Sequence, residues 1–232
     1  MKQLNLRIAD ASGVETPVTI AIDEVLLAGY TGRDRSAVME HIRELEAIGV
    51  APPPSVPMVY VVDPGLLTTD AMITVSEPET SGEVEACLVF HNGELLAGLG
   101  SDHTDRKAEA VDIAESKTLC NKPISTTFWR FADVRDHWDE IEIHSWVTES
   151  GSRRLYQEGT LREFLAVEDL LGELKRAGHA DLAGRFIFGG TIPTVGGLAC
   201  GERFEAELRD PLLRRTLTCN YEIQVQRGSA NA

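Results

Sequence analysis

The chain is short of positive charge: 22 lysines and arginines stand against 37 aspartates and glutamates in 232 residues, a formal net charge of −15. A surplus of that sign opposes phosphate backbones and anionic bilayers, and no stretch interleaves basic residues with aromatics. Neither a nucleic acid nor a membrane is therefore expected as a partner. Long apolar runs are also missing, and none reaches the length that spans a bilayer. Met1 to Asp10 alternate Leu4, Leu6 and Ile8 with polar neighbours, the pattern of a strand rather than of a cleavable signal, so the expected location is the cytoplasm. Cysteine is scarce. Cys87, Cys120, Cys200 and Cys219 are far apart with no C-x-x-C pair, which argues against a zinc knuckle or disulfide scaffold and leaves buried reduced thiols as the expectation. No H-x-H pair is present, which disfavours a histidine-ligated β-barrel enzyme. Internal repeats and low-complexity segments are absent too. With 43% hydrophobic and 25% charged residues, the composition is that of a soluble globular chain able to bury a sizeable core.

Strand patterns dominate. Leu4 to Ile8 and Val18 to Ile22 alternate on either side of Ala11-Ser12-Gly13 and predict an N-terminal hairpin. A helix is expected over Ser36 to Ile48, with Val38, Ile42 and Leu45 on one face and Gly49 placed to end it. Ala51 to Pro57 is too rich in proline for regular structure, and strands resume at Met58 to Val62 and Ala71 to Val75. Further on, Thr127 to Arg130 and His137 to Asp139 are separated by a charged segment, and Glu140 to Val147 alternates as a strand would, with Arg154 to Gln157 as a partner for it. Thr160-Leu161-Arg162-Glu163 has the capping-box pattern and predicts one helix from there to about Gly178, burying Leu161, Leu165, Leu170, Leu171 and Leu174. Arg185 to Phe188 is a short strand, and the last 30 or so residues alternate twice, as a long closing hairpin would. The sum is a mainly β, α+β domain with two helices of consequence.

The stretch from Thr80 to Lys117 carries the chemistry. Alternate side chains of a strand share a face, so Glu83 and Glu85 leave one wall together while Val84, Ala86, Leu88 and Phe90 fill the other. Such alternation ordinarily marks a solvated face. Two carboxylates with a third nearby, Asp102 or Asp105 beyond a hairpin turn at His91-Asn92-Gly93-Glu94, also form an oxygen-only set suited to a hard cation such as Mg²⁺ or Mn²⁺. His103 lies between the two aspartates and is expected to be exposed or bonded locally. Earlier in the chain, Glu44 follows His41 by three residues and shares its side of the predicted helix.

In this order the pieces resemble the fumarylacetoacetate hydrolase superfamily, from about Gly29 to the end of the chain. Tyr30, His41 and Glu44 match a tyrosine and H-x-x-E helix motif ahead of a proline-containing stretch. Glu83 and Glu85 match E-x-E, Asp102 the aspartate of an N-D-x-x-x-R-D type motif, and Lys117 a downstream lysine. Gly190-Thr191 and Gly201-Glu202-Arg203-Phe204 match a G-T loop and the strand that leads into the final hairpin. The wording of these motifs is most similar to an uncharacterised bacterial branch distantly related to the superfamily. The resemblance implies a mixed β-sandwich roll for residues 29–232, with residues 1–28 as an N-terminal β segment packed on it, and a homodimer. It also implies Mg²⁺ or Mn²⁺ held by Glu83, Glu85 and Asp102, with Asp105 as the substitute third ligand.

Further implied are a small-molecule substrate, a 2-oxo acid or acylpyruvate, and a reaction led by hydrolytic carbon-carbon cleavage, with decarboxylation or hydration next to it. A substrate with adjacent carboxylate and keto oxygens chelates a cation, which stabilises the enolate formed when the neighbouring bond breaks. On this reading His41, oriented by Glu44, activates water, Lys117 is a fixed catalytic cation, and Tyr30, Arg106 and Thr191 bind substrate. The chain departs from the family pattern in lacking the asparagine before the tyrosine, in the ten or so residues between Tyr30 and His41, and in a short interval from Glu85 to Asp102. Lid and pocket are therefore where its own chemistry is expected. A non-catalytic small-molecule-binding module that keeps the fold is the alternative.

Overall fold

The computed structural model describes residues 1–47 and 52–226. Its centre is the hairpin Val84–His91 and Glu94–Ser101, closed by Asn92 and Gly93 with φ of 51° and 81°, the left-handed pair that lets a two-residue turn follow the twist of its strands. This hairpin lies inside an eight-stranded sheet. On one side follow Thr127–Arg130, Lys2–Ala9 and Glu15–Ile22, and on the other Arg185–Phe188, Glu24–Gly29 and Met58–Val62. The expected N-terminal hairpin forms, with Leu4 opposite Ile20, and joins the sheet by pairing parallel to Thr127–Arg130.

A five-stranded sheet packs on the first, in the order Ser152–Thr160, Glu142–Glu149, Arg203–Asp210, Arg215–Val225 and Met72–Val75. Between the two lies the larger core, where Leu26, Val84, Leu88 and Trp129 meet Ile143, Phe204, Leu208 and Tyr221. The second core lies on the other face of the eight-stranded sheet. Residues from both of its ends, Leu4 and Ile20 with Val62, gather there around Cys87, Val89 and Phe188, so the sheet curls over on itself as a roll. The expected mainly β architecture is observed.

At three points the fold departs from the sequence pattern. Glu24–Gly29 is a strand that alternation does not mark, because Val25 and Leu27 face one core and Leu26 and Ala28 the other, leaving a continuous apolar run. The single helix over Leu161 to Gly178 is two elements. The capping-box pair is present, with the Thr160 amide donating to Glu163 Oε1 at 2.9 Å, but it opens only the 3₁₀ turn Leu161–Glu163. Phe164 is then held extended, because its carbonyl accepts from Arg33 Nε and Leu165 N–H donates to the Thr31 carbonyl; the helix proper is Val167–Arg176. Third, Cys87, Cys120 and Cys219 are buried as expected, whereas Cys200 is exposed. The helix expected from Ser36 runs over Arg35–Ala47, its first turn capped by Asp34 Oδ1; Ile48 and Gly49 lie outside the described residues.

Candidate metal centre

Register places the acidic residues. Val84 pairs with Ser101 and Glu85 with Gly100, and one step further the Asp102 amide donates to the Glu83 carbonyl at 3.0 Å. Glu83 and Asp102 are thus opposite each other at the mouth of the central hairpin. Glu85 follows on the same face, with a glycine across from it where a side chain would crowd. A Cβ on Gly100 would sit 2.8 Å from both Cys87 Sγ and the Phe188 ring. The wall is therefore not a solvated one: further along the strand the same face enters the second core. One oxygen from each of Glu83, Glu85 and Asp102 lies within 4.8 Å of the others. Asp105, the substitute, is turned away, because its side chain caps the short helix Arg106–Glu109 by accepting from Ala108 N–H.

The charges are held in by cations. Lys117 Nζ stands 2.8 Å from Asp102 Oδ2 and 3.1 Å from Glu83 Oε2. Lys122 Nζ stands 2.8 Å from Asp102 Oδ1. Arg106 Nη1 bridges Glu83 at 3.1 Å and Glu109 at 2.6 Å, and its Nε donates to Ser81 Oγ. Glu85 has no such partner among the described residues; it accepts one backbone N–H, from Gly190 at 2.7 Å. Burial, reinforced by the negative charges of Asp102 and Glu83, therefore drives its acid well above the usual carboxylate range, against the pull of Lys117. For Asp102 burial acts the same way, but the two ammonium groups outweigh it and hold its acid well below that range. A strained glutamate beside two carboxylates is what a divalent cation would relieve, and an all-oxygen donor set fits Mg²⁺ or Mn²⁺.

The remaining expected residues are placed unevenly. Arg106 Nη2 is buried without a hydrogen-bond partner among the described residues. Tyr30 has φ of 59°, uncommon outside glycine, and burial followed by the nearby charge of Glu109 raises its hydroxyl, so it lies within electrostatic reach of the cluster. Thr191 spends its hydroxyl internally, donating to the Val84 carbonyl at 2.9 Å and accepting from Gln157 Nε2 at 2.8 Å. The side chains of His41 and Glu44 fall outside the described residues, though the helix bearing them is described. His103 is neither exposed nor locally bonded. It is buried between Tyr221 Oη, 3.0 Å from Nδ1, and Thr80 Oγ1, 2.9 Å from Nε2, and burial with the charges of Lys122 and Arg106 lowers it to about 3, so it is neutral.

Sequence reasoning missed Lys122 and Glu109. It assigned the Gly190-Thr191 loop to substrate, whereas the Gly190 amide donates to Glu85, at a φ of 98° that suits glycine.

Solved structures share this fold. A Yersinia pestis CO92 protein described as belonging to the fumarylacetoacetate hydrolase family is 17% identical with a TM-score of 0.64, covering 94% of this chain and 99% of its own. One from Oleispira antarctica, described as a fumarylacetoacetate isomerase/hydrolase, is 19% identical at 0.64, covering 96% and 100%. A 2-keto-3-deoxy-D-arabinonate dehydratase complexed with magnesium and 2,5-dioxopentanoate is 18% identical at 0.62, covering 90% and 75%. The resemblance to that superfamily thus holds as a distant one, at the level of the fold. No curated protein matches the chain. The family model described as "Protein of unknown function (DUF2848)" matches residues 28–221, and the chain belongs to that family.

Proposed function

We propose that the chain is a Mg²⁺- or Mn²⁺-dependent enzyme acting on a small 2-oxo acid or acylpyruvate, with hydrolytic carbon-carbon cleavage as the leading reaction and decarboxylation or hydration as its nearest competitors. The observation that carries this reading is the convergence of Glu83, Glu85 and Asp102, of which Glu85 has no cationic partner among the described residues. Those three residues would hold the ion. Once bound, it would supply Lewis acidity that stabilises negative charge on a keto oxygen.

The chain's own groups supply the rest. Arg106 offers Nη2, unpaired among the described residues, to a substrate carboxylate, the planar donor suited to that group. Lys117 keeps a fixed positive charge at the ligand edge, since Asp102, Glu83 and Glu109 more than offset its burial and raise it far above the ordinary lysine value. Tyr30 and the Thr191 loop border the substrate. His41, with Glu44 one helical step away to orient it, takes the proton from the attacking water. A homodimer and a cytoplasmic setting belong to the same proposal, the latter supported by the unpaired cysteines.

The test is turnover of a panel of 2-oxo acids and acylpyruvates with Mg²⁺ or Mn²⁺. His41→Ala should lower kcat by about 100-fold or more while leaving oxalate binding nearly unchanged. Undiminished turnover in that variant would remove His41 from the mechanism. The second reading, a binding module, is favoured by the two ammonium groups that already face both oxygens of Asp102. It predicts ligand binding without turnover of any member of the panel.

A further inference from the structure

Lys122 belongs to none of the motifs above, yet its side chain is wholly inaccessible. Its backbone is fixed on two sides: Lys122–Pro123 pairs parallel with Leu67–Thr68, and the next residue, Ile124, bridges Gly100 of the central hairpin. From there Nζ donates to the His103 carbonyl at 2.8 Å and faces Asp102 Oδ1 at 2.8 Å. Asp102 Oδ2 shares Lys117 with Glu83, so Oδ1 is the oxygen drawn back to Lys122.

A lysine buried to this degree is desolvated at a cost that hydrophobic packing would avoid, and one cation, Lys117, already pairs with Asp102. We infer that Lys122 is a positioning residue that sets the affinity of the carboxylate cluster for a divalent cation, by fixing Asp102 with a single oxygen toward Glu83 and Glu85 and by opposing the incoming charge from behind. The inference rests on the reading that Glu83, Glu85 and Asp102 hold such a cation. The ammonium group and a divalent ion compete for one carboxylate in an interior that screens them poorly. The site would then be a weak, exchangeable one despite its three acids.

Calorimetric titration of Mn²⁺ into the full chain tests this, with Tm measured in chelator and in Mn²⁺. Lys122→Met removes the charge, and Lys122→Gln removes it while keeping a donor for the His103 carbonyl. Both should bind Mn²⁺ about tenfold more tightly than wild type, with a lower Tm in chelator and a larger Mn²⁺-induced rise, whereas Lys122→Arg keeps the charge and wild-type affinity. A variant that folds only with Mn²⁺ also supports the inference. It is overturned if folded Lys122→Met and Lys122→Gln bind Mn²⁺ no more tightly than wild type, or if neither folds with or without the ion, since Lys122 would then only hold the fold. No Mn²⁺ binding by the wild type would instead sink the metal reading on which the inference rests.

Discussion

Glu85 shows what separates a polar strand from a site. Its neighbours on the strand are core residues, its carboxylate accepts from the Gly190 backbone amide, and two other carboxylates press on it. Because its acid is raised in the fold, the stabilising neutral form is fully populated below the unfolded value near 4.5, and that stability is lost as pH climbs through the folded value. Glu85→Gln fixes the neutral state and keeps an acceptor for Gly190. In chelator at pH 7 it should therefore melt above wild type, by about 1 kcal/mol or more of stability, with the gap closing toward pH 4. The same variant should lose the Tm rise that Mn²⁺ gives wild type. Thermal melts over that pH range check both outcomes.

Glu83 and Glu85 were legible because strand periodicity brings both to one face, whereas Asp102 was singled out from Asp105 by the resemblance to the fumarylacetoacetate hydrolase superfamily. Lys122 was not, since nothing near it in the chain marks a lysine for burial. His103 was misplaced for a related reason. A histidine between two aspartates reads as solvated until Tyr221, from the far end of the chain, is packed against it.

Elements decide where these residues stand. The loop after Arg185–Phe188 brings the Gly190 amide to Glu85 and the Thr31 hydroxyl to the Gly189 carbonyl at 2.7 Å. A Cβ at Gly190 would collide with Thr31 Oγ1 and come within 3.1 Å of the Ala28 carbonyl, at a φ of 98° that side chains avoid. Gly190→Ala should cost about 2 kcal/mol or more and weaken Mn²⁺ binding with it, read by denaturant melts and titration.

The closing hairpin turns on Asp210. Its acid is lowered despite burial by the Leu213 amide, His137 and Arg215. A depressed acid stabilises above its unfolded value near 3.8 and ceases to as pH falls through the folded one. Asp210→Asn should cost about 1–3 kcal/mol at pH 7 and soften the acid limb of the stability curve, followed by circular dichroism from pH 7 to 2. Elements with one exposed face were readable from alternation. Glu24–Gly29, buried on both faces, was not, and the helix after the capping box was cut short by a pairing to Thr31–Arg33 that local sequence does not encode.

At the scale of the molecule, two sheets share one core and the larger sheet curls around a second, leaving the hairpin mouth as the place where acidic side chains gather. Division of the chain into an N-terminal β segment, 1–28, and a main domain, 29–232, is a proposal supported by the family match from residue 28, although the first strands lie in the same sheet as the central hairpin. Among the described residues no helix is long and apolar enough to cross a membrane. The proposed homodimer predicts a sedimentation mass of about twice the 25.4 kDa chain, and a single-chain mass would refute it. The central claim is that Glu83, Glu85 and Asp102 form one metal centre. Anomalous diffraction from crystals soaked in Mn²⁺ and oxalate addresses it directly. One strong peak is expected about 2.1–2.3 Å from an oxygen of each residue, with oxalate completing the shell; no peak between the three carboxylates at saturating Mn²⁺ would rule the centre out.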